Sequence, residues 1–325
     1  MSYTVKVGSF LSADKETEIS YRCYLPEGKP RAVVQIAHDF KESISRYESE
    51  GFVERLTAGG IVVCGNDAVG HGDTAKSEEA RLHLPSYKPL VEDLNTLNGV
   101  MKKRYPRLPY LLFGHGVGSL AARIYLTKYE NVDGVILSGT GDGRFLGMTE
   151  TIAAFLRSFR GENYRSKRLD SRVTEKCCVG LPGKKEPSYH AADPEAAARL
   201  DALLKDMPAP TAVTYRSLFA LLARATDSDW PEKVPLSLPI LIVSGERDPF
   251  AEGGESIRAL QEQLTERELN DLQVKLYPGA RHDLFFDVAK EEAYLDLLAF
   301  VDSVVEGVVA FRSFSGTLFG RTVTE

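Results

Sequence analysis

Apolar residues fall into two alternating patterns along the chain. Short, nearly unbroken apolar runs, mostly β-branched or leucine, occur at Ala32 to Ala37, Ile61 to Cys64, Tyr110 to Phe113, Val135 to Leu137, Ile240 to Val243 and Val274 to Leu276. Strands buried on both faces have this pattern. Between most of them, apolar residues recur at three- and four-residue spacing, at Tyr47 to Ala58, Lys88 to Tyr105, Ser119 to Tyr129, Glu255 to Leu264 and Glu291 to Val305. That spacing predicts helices with one apolar face. The alternation predicts an α/β fold, a doubly wound and mostly parallel sheet. Ahead of it, Thr4 to Phe10 and Glu18 to Tyr24 flank a polar turn at Ala13 to Thr17 and predict an antiparallel hairpin.

Between Thr140 and Pro239 the alternation stops, and helical patterns appear only at Thr149 to Phe159, Pro194 to Lys205 and Val213 to Ala225. Unstructured loops of that length are uncommon in a folded domain, so this stretch predicts an inserted helical cap. The expected organisation is a core of residues 1–140 and 234–305, a cap of 141–233 and a C-terminal tail of 306–325. The tail scatters Phe311, Phe314 and Phe319 among Gly, Ser and Thr. Docking on the body, homo-oligomeric pairing with another subunit and disorder all stay open for it.

Charge and cysteine usage narrow the function classes. Forty basic residues against 46 acidic ones give a net charge of −6, so nucleic acid is not an expected partner. No apolar run approaches the roughly 18 residues of a membrane-spanning helix, and the N-terminus lacks the pattern of a secretion signal. Cys23, Cys64, Cys177 and Cys178 have no metal-ligand spacing. The expectation is a cytoplasmic, reducing compartment, with no metal and no cofactor. Cys64, in an apolar strand, is expected to act as a small core hydrophobe.

The chemistry gathers at three strand ends. Leu111 to Phe113 runs into Gly114-His115-Gly116-Val117-Gly118 and then the helical Ser119-Leu120-Ala121-Ala122. Strand, tight turn and helix are the context of a nucleophile elbow, G-x-S-x-G. Its central residue here is Gly116, so the turn brings no nucleophilic atom. Further on, one apolar strand runs into Gly245-Glu246-Arg247-Asp248-Pro249 and another into Gly279-Ala280-Arg281-His282-Asp283. Elbow, acid and histidine in that order match the α/β-hydrolase triad. Gly114-x-Gly116-x-x-Ser119 with Asp133 downstream also half-matches a dinucleotide fingerprint. That fingerprint opens a first βαβ unit, whereas this turn follows the fifth strand-like run.

With Ala37-His38-Asp39-Phe40, Glu42, Arg46, Tyr47, Asn66-Asp67 and Gly70-His71-Gly72, these stretches resemble one group of α/β hydrolases over about residues 15 to 305. The group is that of monoacylglycerol lipases, lysophospholipases and serine aminopeptidases. The resemblance implies that Phe40 and Val117 supply oxyanion-hole amides, that Asp248 orients His282 as general base, and that the cap shapes an acyl-chain pocket. Three departures sit where that chemistry is done: Gly116 replaces the serine, Asp39 stands where glycine is usual, and Ala68 replaces a larger, usually polar residue.

Glycine at the elbow relieves a backbone strain of about 1–3 kcal/mol while removing the nucleophile. Loss of the nucleophile leaves only about 10³–10⁴-fold catalysis over water. A carboxylate at Asp39 would repel an oxyanion, where one lost donor already costs about 10²–10³ in rate. The first reading is therefore a catalytically impaired member of the group, a scaffold or the binder of a small lipid-like or ester-like ligand under the cap. The second is an active carboxylic-ester or monoacylglycerol hydrolase, its serine removed by substitution or its part taken by a water that His282 activates. Of the other histidines, His115 is expected to pack the elbow, His38 to brace the oxyanion turn, His71 to bond locally, and His83 and His190 to lie at the surface. Glu78 and Glu79 are expected to form a solvated face.

Overall fold

The apolar runs become strands whose side chains are buried on both faces, while longer-period segments pack their apolar stripes on that sheet. The computed structural model describes residues 3–143, 146–179, 181, 189–269 and 271–319, with 312–319 by backbone alone. The strands are β1 (Tyr3–Leu11), β2 (Glu18–Pro26), β3 (Ala32–Ala37), β4 (Ile61–Asn66), β5 (Tyr110–His115), β6 (Gly134–Ser138), β7 (Ile240–Gly245) and β8 (Leu272–Tyr277). They form one sheet in the order β1-β2-β4-β3-β5-β6-β7-β8. β2 is antiparallel to both β1 and β4, and every pairing from β4 through β8 is parallel. Every residue of β3, β4, β5, β6 and β7 is buried. At the edge, β1 is largely exposed.

The helices α1 (Ile44–Ser49), α2 (Phe52–Ala58), α3 (Lys88–Arg104) and α4 (Val117–Leu126) follow strands of the core. α3 shows why its sequence folds this way: Val91, Leu94, Leu97 and Met101 recur at helical spacing and are among the residues it buries. The single helix expected over Tyr47 to Ala58 is instead two, because Gly51 takes a φ of 82° and turns the chain between them.

Between β6 and β7 lie the cap helices α5 (Met148–Ser158), α6 (Lys167–Cys177), α7 (Pro194–Leu204) and α8 (Ala212–Ala225). α6 was not apparent from the apolar pattern; it is strongly polar and buries only Leu169. Trp230 anchors the return from the cap: its indole N–H donates to the Arg123 carbonyl at 2.7 Å, and its ring lies 4.6 Å from the Arg123 guanidinium. Leu84 N–H donates to Thr214 Oγ1 at 2.8 Å, tying α8 to a core loop. α5 presents Met148, Ile152, Phe155, Leu156 and Phe159 outward as one apolar stripe.

After β7 come α9 (Glu255–Glu266), β8 and α10 (Lys290–Phe319). α10 buries Ala293, Tyr294, Leu297, Phe300, Val301 and Val304 on one face. Beyond Val304 the helix is mostly exposed, with Val305 and Val308 still packed against the core, and it continues to Phe319. The stretch expected as a tail, 306–325, continues this helix through Phe319; residues 320–325 lie outside the described residues. No helix among the described residues is long and apolar enough to cross a membrane.

Candidate active site

β5 delivers His115 to the carboxyl end of the sheet, and the chain turns sharply into α4 at Gly116, with φ 52° and ψ −117°. That positive φ favours glycine. The Gly116 N–H donates to Ser138 O at 3.0 Å, and its carbonyl accepts from Ser119 N–H and Ser119 Oγ. A Cβ on Gly118 would overlap the Ala37 carbonyl, so glycine there lets the start of α4 press against the end of β3. This contact sets Asp39 beside the elbow.

Asp39 dominates the site. His38 Nε2 accepts from Ala68 N–H at 3.0 Å, so its Nδ1 carries the proton and donates to the Asp39 carbonyl at 2.7 Å. With its backbone held, Asp39 sends its carboxylate over Gly116, into the space that a Cβ on Gly116 would occupy. Asp39 Oδ1 accepts from the Val117 N–H at 2.6 Å, and Oδ2 lies 3.2 Å from His282 Nε2. This carboxylate thus fills the side-chain space at position 116 and also takes the Val117 amide. Room for a catalytic water at that spot, part of the second reading, is not what the structure contains.

His282 follows β8 and stands between two acids. Its Nδ1 lies 3.0 Å and 3.2 Å from the two carboxylate oxygens of Asp248. Asp248 follows β7 and is fixed by Phe250 N–H at 2.9 Å and Ser244 Oγ at 3.3 Å. Burial alone would lower the His282 pKa, but Asp248 and Asp39 on its two sides hold it well above the ordinary histidine value. Burial would likewise raise Asp39, yet the bond and charge of His282 hold it below the usual carboxylate range. The two therefore form a buried ion pair. A protonated imidazole has no lone pair with which to act as a base toward water.

Beneath this trio lies a second buried network. Arg46 pairs with both Glu42 and Asp283, and its guanidinium lies 4.6 Å from the Phe286 ring. His190 Nδ1 meets Asp283 Oδ1 at 2.8 Å. His115 stacks on His282 with centroids 5.3 Å apart, and its Nδ1 lies 2.9 Å from the Tyr47 hydroxyl. Burial holds the His115 pKa below the ordinary value, so it packs the elbow as a neutral ring, as the sequence suggests. Asp39 with His115 and His282, Asp39 with Glu42 and His190, and Glu42 with His115 and Asp283 each bring metal-ligand-type atoms within 4.8 Å of one another. Arg46 and the charged His282 already neutralise these carboxylates, so a cation would have to displace them.

A cavity of about 110 Å³ opens above Asp39. Its walls are mainly apolar, from Phe40, Val117, Leu120 and Phe250 of the core and from Leu146, Tyr189, Tyr215, Leu218, Phe219 and Leu222 of the cap side. Its polar floor is Asp39, His190 and His282. Cys177 and Thr174 of α6 also line it. Lys41 Nζ reaches Asp170 of α6 at 3.1 Å, and Tyr215 also bonds Asp170, tying the turn after β3 to the cap.

Of the residues singled out in the sequence, Gly116, Val117, Asp39, Asp248 and His282 come together at one point, and Phe40 forms a wall of the cavity beside His71 and Tyr215. Ala68 lines a smaller adjoining cavity and braces His38 through its amide. His190 is not at the surface: it is buried, because the cap folds it onto Asp283. His83 is half-buried, with Nδ1 3.2 Å from Thr211 Oγ1. His71 bonds locally through Nδ1 to the Val69 carbonyl, and burial pushes it down to about 3. Asp133, the acid of the dinucleotide half-match, caps the start of β5 through Tyr110 N–H at 2.7 Å, at the strand's far end from Gly116. Tyr189 and Cys177, both facing the cavity, carry no sequence pattern that marks them.

An eight-stranded sheet with β2 reversed, an elbow after β5, an acid after β7 and a histidine after β8 defines an α/β hydrolase. The chain belongs to the serine aminopeptidase, S33, family, whose profile matches residues 28–289. It is 26% identical over 290 residues to a monoacylglycerol lipase of Mycolicibacterium smegmatis, covering 88% of this chain and 93% of that one. It is 24% identical over 270 residues to the monoglyceride lipase of Rattus norvegicus, covering 81% and 79%. Among solved structures, a thermostable carboxyl esterase from Bacillus coagulans in complex with glycerol superposes with a TM-score of 0.77 at 27% identity, covering 93% of this chain and 99% of that one. A lipase in an open form gives a TM-score of 0.81 at 24% identity, with the same coverage.

Proposed function

We propose that this chain does not carry out acyl transfer through a hydroxyl nucleophile, and that its covered cavity binds a small lipid-like or ester-like ligand. One observation carries the reading: the Asp39 carboxylate stands in the elbow's side-chain space, with one oxygen on the Val117 amide and the other on His282. An ester carbonyl entering that place would have to displace a charged group from its donors, and any oxyanion formed nearby would face a carboxylate. The apolar walls suit an acyl chain. The floor suits a head group rich in hydroxyls, because an ionised carboxylate only accepts hydrogen bonds. Relatives named as monoacylglycerol lipases support the same ligand class.

The test compares the unaltered chain, Gly116→Ser, and Gly116→Ser with Asp39→Gly, against short-chain nitrophenyl esters and monoacylglycerols. Hydrolysis is expected only from the double variant, because serine alone still meets Asp39. Monoacylglycerol is expected to raise the melting temperature of the unaltered chain. Hydrolysis by the unaltered chain that is lost in His282→Ala overturns the first half of the reading, and an unmoved melting temperature overturns the second.

A further inference from the structure

The same carboxylate that blocks serine chemistry is oriented for another reaction. Carboxylates serve as covalent nucleophiles where a base and an oxyanion site stand beside them. Asp39 has both within reach: Oδ1 rests on the Val117 amide, and Oδ2, 3.2 Å from His282 Nε2, borders the cavity. Attack by a carboxylate on an ester carbonyl would form an anhydride, more reactive than the ester consumed. Attack on a saturated carbon forms an ordinary ester, which is a reasonable resting point. We infer that Asp39 is a nucleophile toward the ring carbon of an epoxide borne on a short apolar chain. This rests on the reading that an apolar ligand enters the covered cavity.

The steps balance without any co-reactant but water. A lone pair of Asp39 Oδ2 forms the bond to carbon, the ring C–O bond breaks onto oxygen, and that alkoxide takes the Nε2 proton of His282. Asp39 is then a neutral ester and His282 a neutral base, still oriented by Asp248. Alkylation removes one of the two negative charges beside His282 and the alkoxide takes its proton, so the base appears only once it is needed. Water adds to Cγ while His282 takes its proton, and the oxyanion forms on Oδ1, already seated on the Val117 amide. Collapse breaks the Cγ–Oδ2 bond, and the departing diol takes its proton back from His282. The proton left on the new carboxyl passes to His282 and restores the ion pair. The sum is epoxide plus water to diol.

The full chain is incubated with hexene oxide, and diol release and intact-protein mass are followed. The unaltered chain is expected to release hexanediol and, when quenched early in a turnover, to carry the mass of one probe molecule on the peptide containing Asp39, whereas His282→Gln, which lacks both the proton donor and the base, is expected to release no diol. Asp39→Asn, checked for an unchanged melting temperature, is expected to give neither diol nor adduct. In a single turnover in heavy-oxygen water, the heavy atom is expected in the Asp39 carboxyl and the diol is expected to be unlabelled. Label in the first-turnover diol, an adduct on Cys177 instead of Asp39, or turnover surviving in Asp39→Asn would each overturn the inference. Absence of both diol and adduct, with the melting temperature still raised by monoacylglycerol, overturns it and leaves the ligand-binding reading standing. If that temperature does not move either, both fail.

Discussion

The backbone amide of Val117 donates to Asp39 Oδ1 at 2.6 Å. The protein's own carboxylate thus occupies the amide at the start of α4. Charge-assisted bonds of this kind are short and about twice as strong as neutral ones, so displacing Asp39 is costly.

Replacing Gly116 by alanine is expected to destabilise the fold by about 2–4 kcal/mol, part from a Cβ at positive φ and part from overlap with the carboxylate. Asp39→Gly in the same chain is expected to recover the overlap part and leave the backbone part. Urea unfolding of both single variants and the double variant measures this; additive effects would show that the two residues do not contend for one space.

The His282–Asp39 ion pair gives a pH signature with a defined sign. His282 has a folded pKa above its unfolded value, so its contribution is complete below about pH 6.5 and fades as pH rises toward the folded value. Asp39 has a folded pKa below its unfolded one, so its contribution is complete above about pH 4 and fades as pH falls. His71 and His115, held neutral by burial, act in the opposite direction to His282 as pH falls. Stability of the unaltered chain minus that of Asp39→Asn removes most of their effect. The difference is expected to be largest at about pH 4–6.5 and to shrink on both sides; a flat difference would deny the ion pair.

Arg46→Ala is expected to cost about 3–5 kcal/mol, because it leaves Glu42 and Asp283 buried without their cation. Chemical unfolding gives the value, and Arg46→Met is expected to be no better, since the carboxylates remain uncompensated. A loss below about 1 kcal/mol would place the pair among interactions of little net worth.

Cys177 is the one cysteine only partly buried, and it lines the cavity. Its thiol is expected to react with a maleimide about tenfold or more faster than the others under native conditions. Burial raises Cys64 well above the ordinary thiol value and Cys23 to about 11, which keeps both from forming thiolate. Monoacylglycerol in the cavity is expected to slow labelling; peptide mapping with and without it reads the outcome.

Much of this arrangement was legible in the sequence because it depends on short-range patterns. β3 begins and ends where the apolar run Ala32 to Ala37 does, and the glycines around His115 mark the elbow. Asp248 and His282 were visible because each follows an apolar strand by a few residues. The conformation of Asp39 was not, since whether its carboxylate repels an oxyanion from a distance or lies on the Val117 amide depends on how closely α4 approaches β3. His190 was misread for a related reason. Its burial comes from Asp283, 93 residues away, and a polar residue in a polar cap segment carries no local sign of such a partner. α6 buries a single residue, so it has almost no apolar stripe to detect. The break at Gly51 lies inside a pattern that reads as continuous.

The overlap between Asp39 and any side chain at position 116 also orders the history of the site. With the carboxylate where it stands, serine at 116 and aspartate at 39 exclude one another. A lineage that once held the serine could reach this pair only by losing it before, or together with, the arrival of the acid. Once Asp39 is in place, restoring the serine alone puts two groups in one space, so the way back is closed to any single substitution. The pair thus fixes an order of return: the acid has to leave before a hydroxyl can come back to position 116.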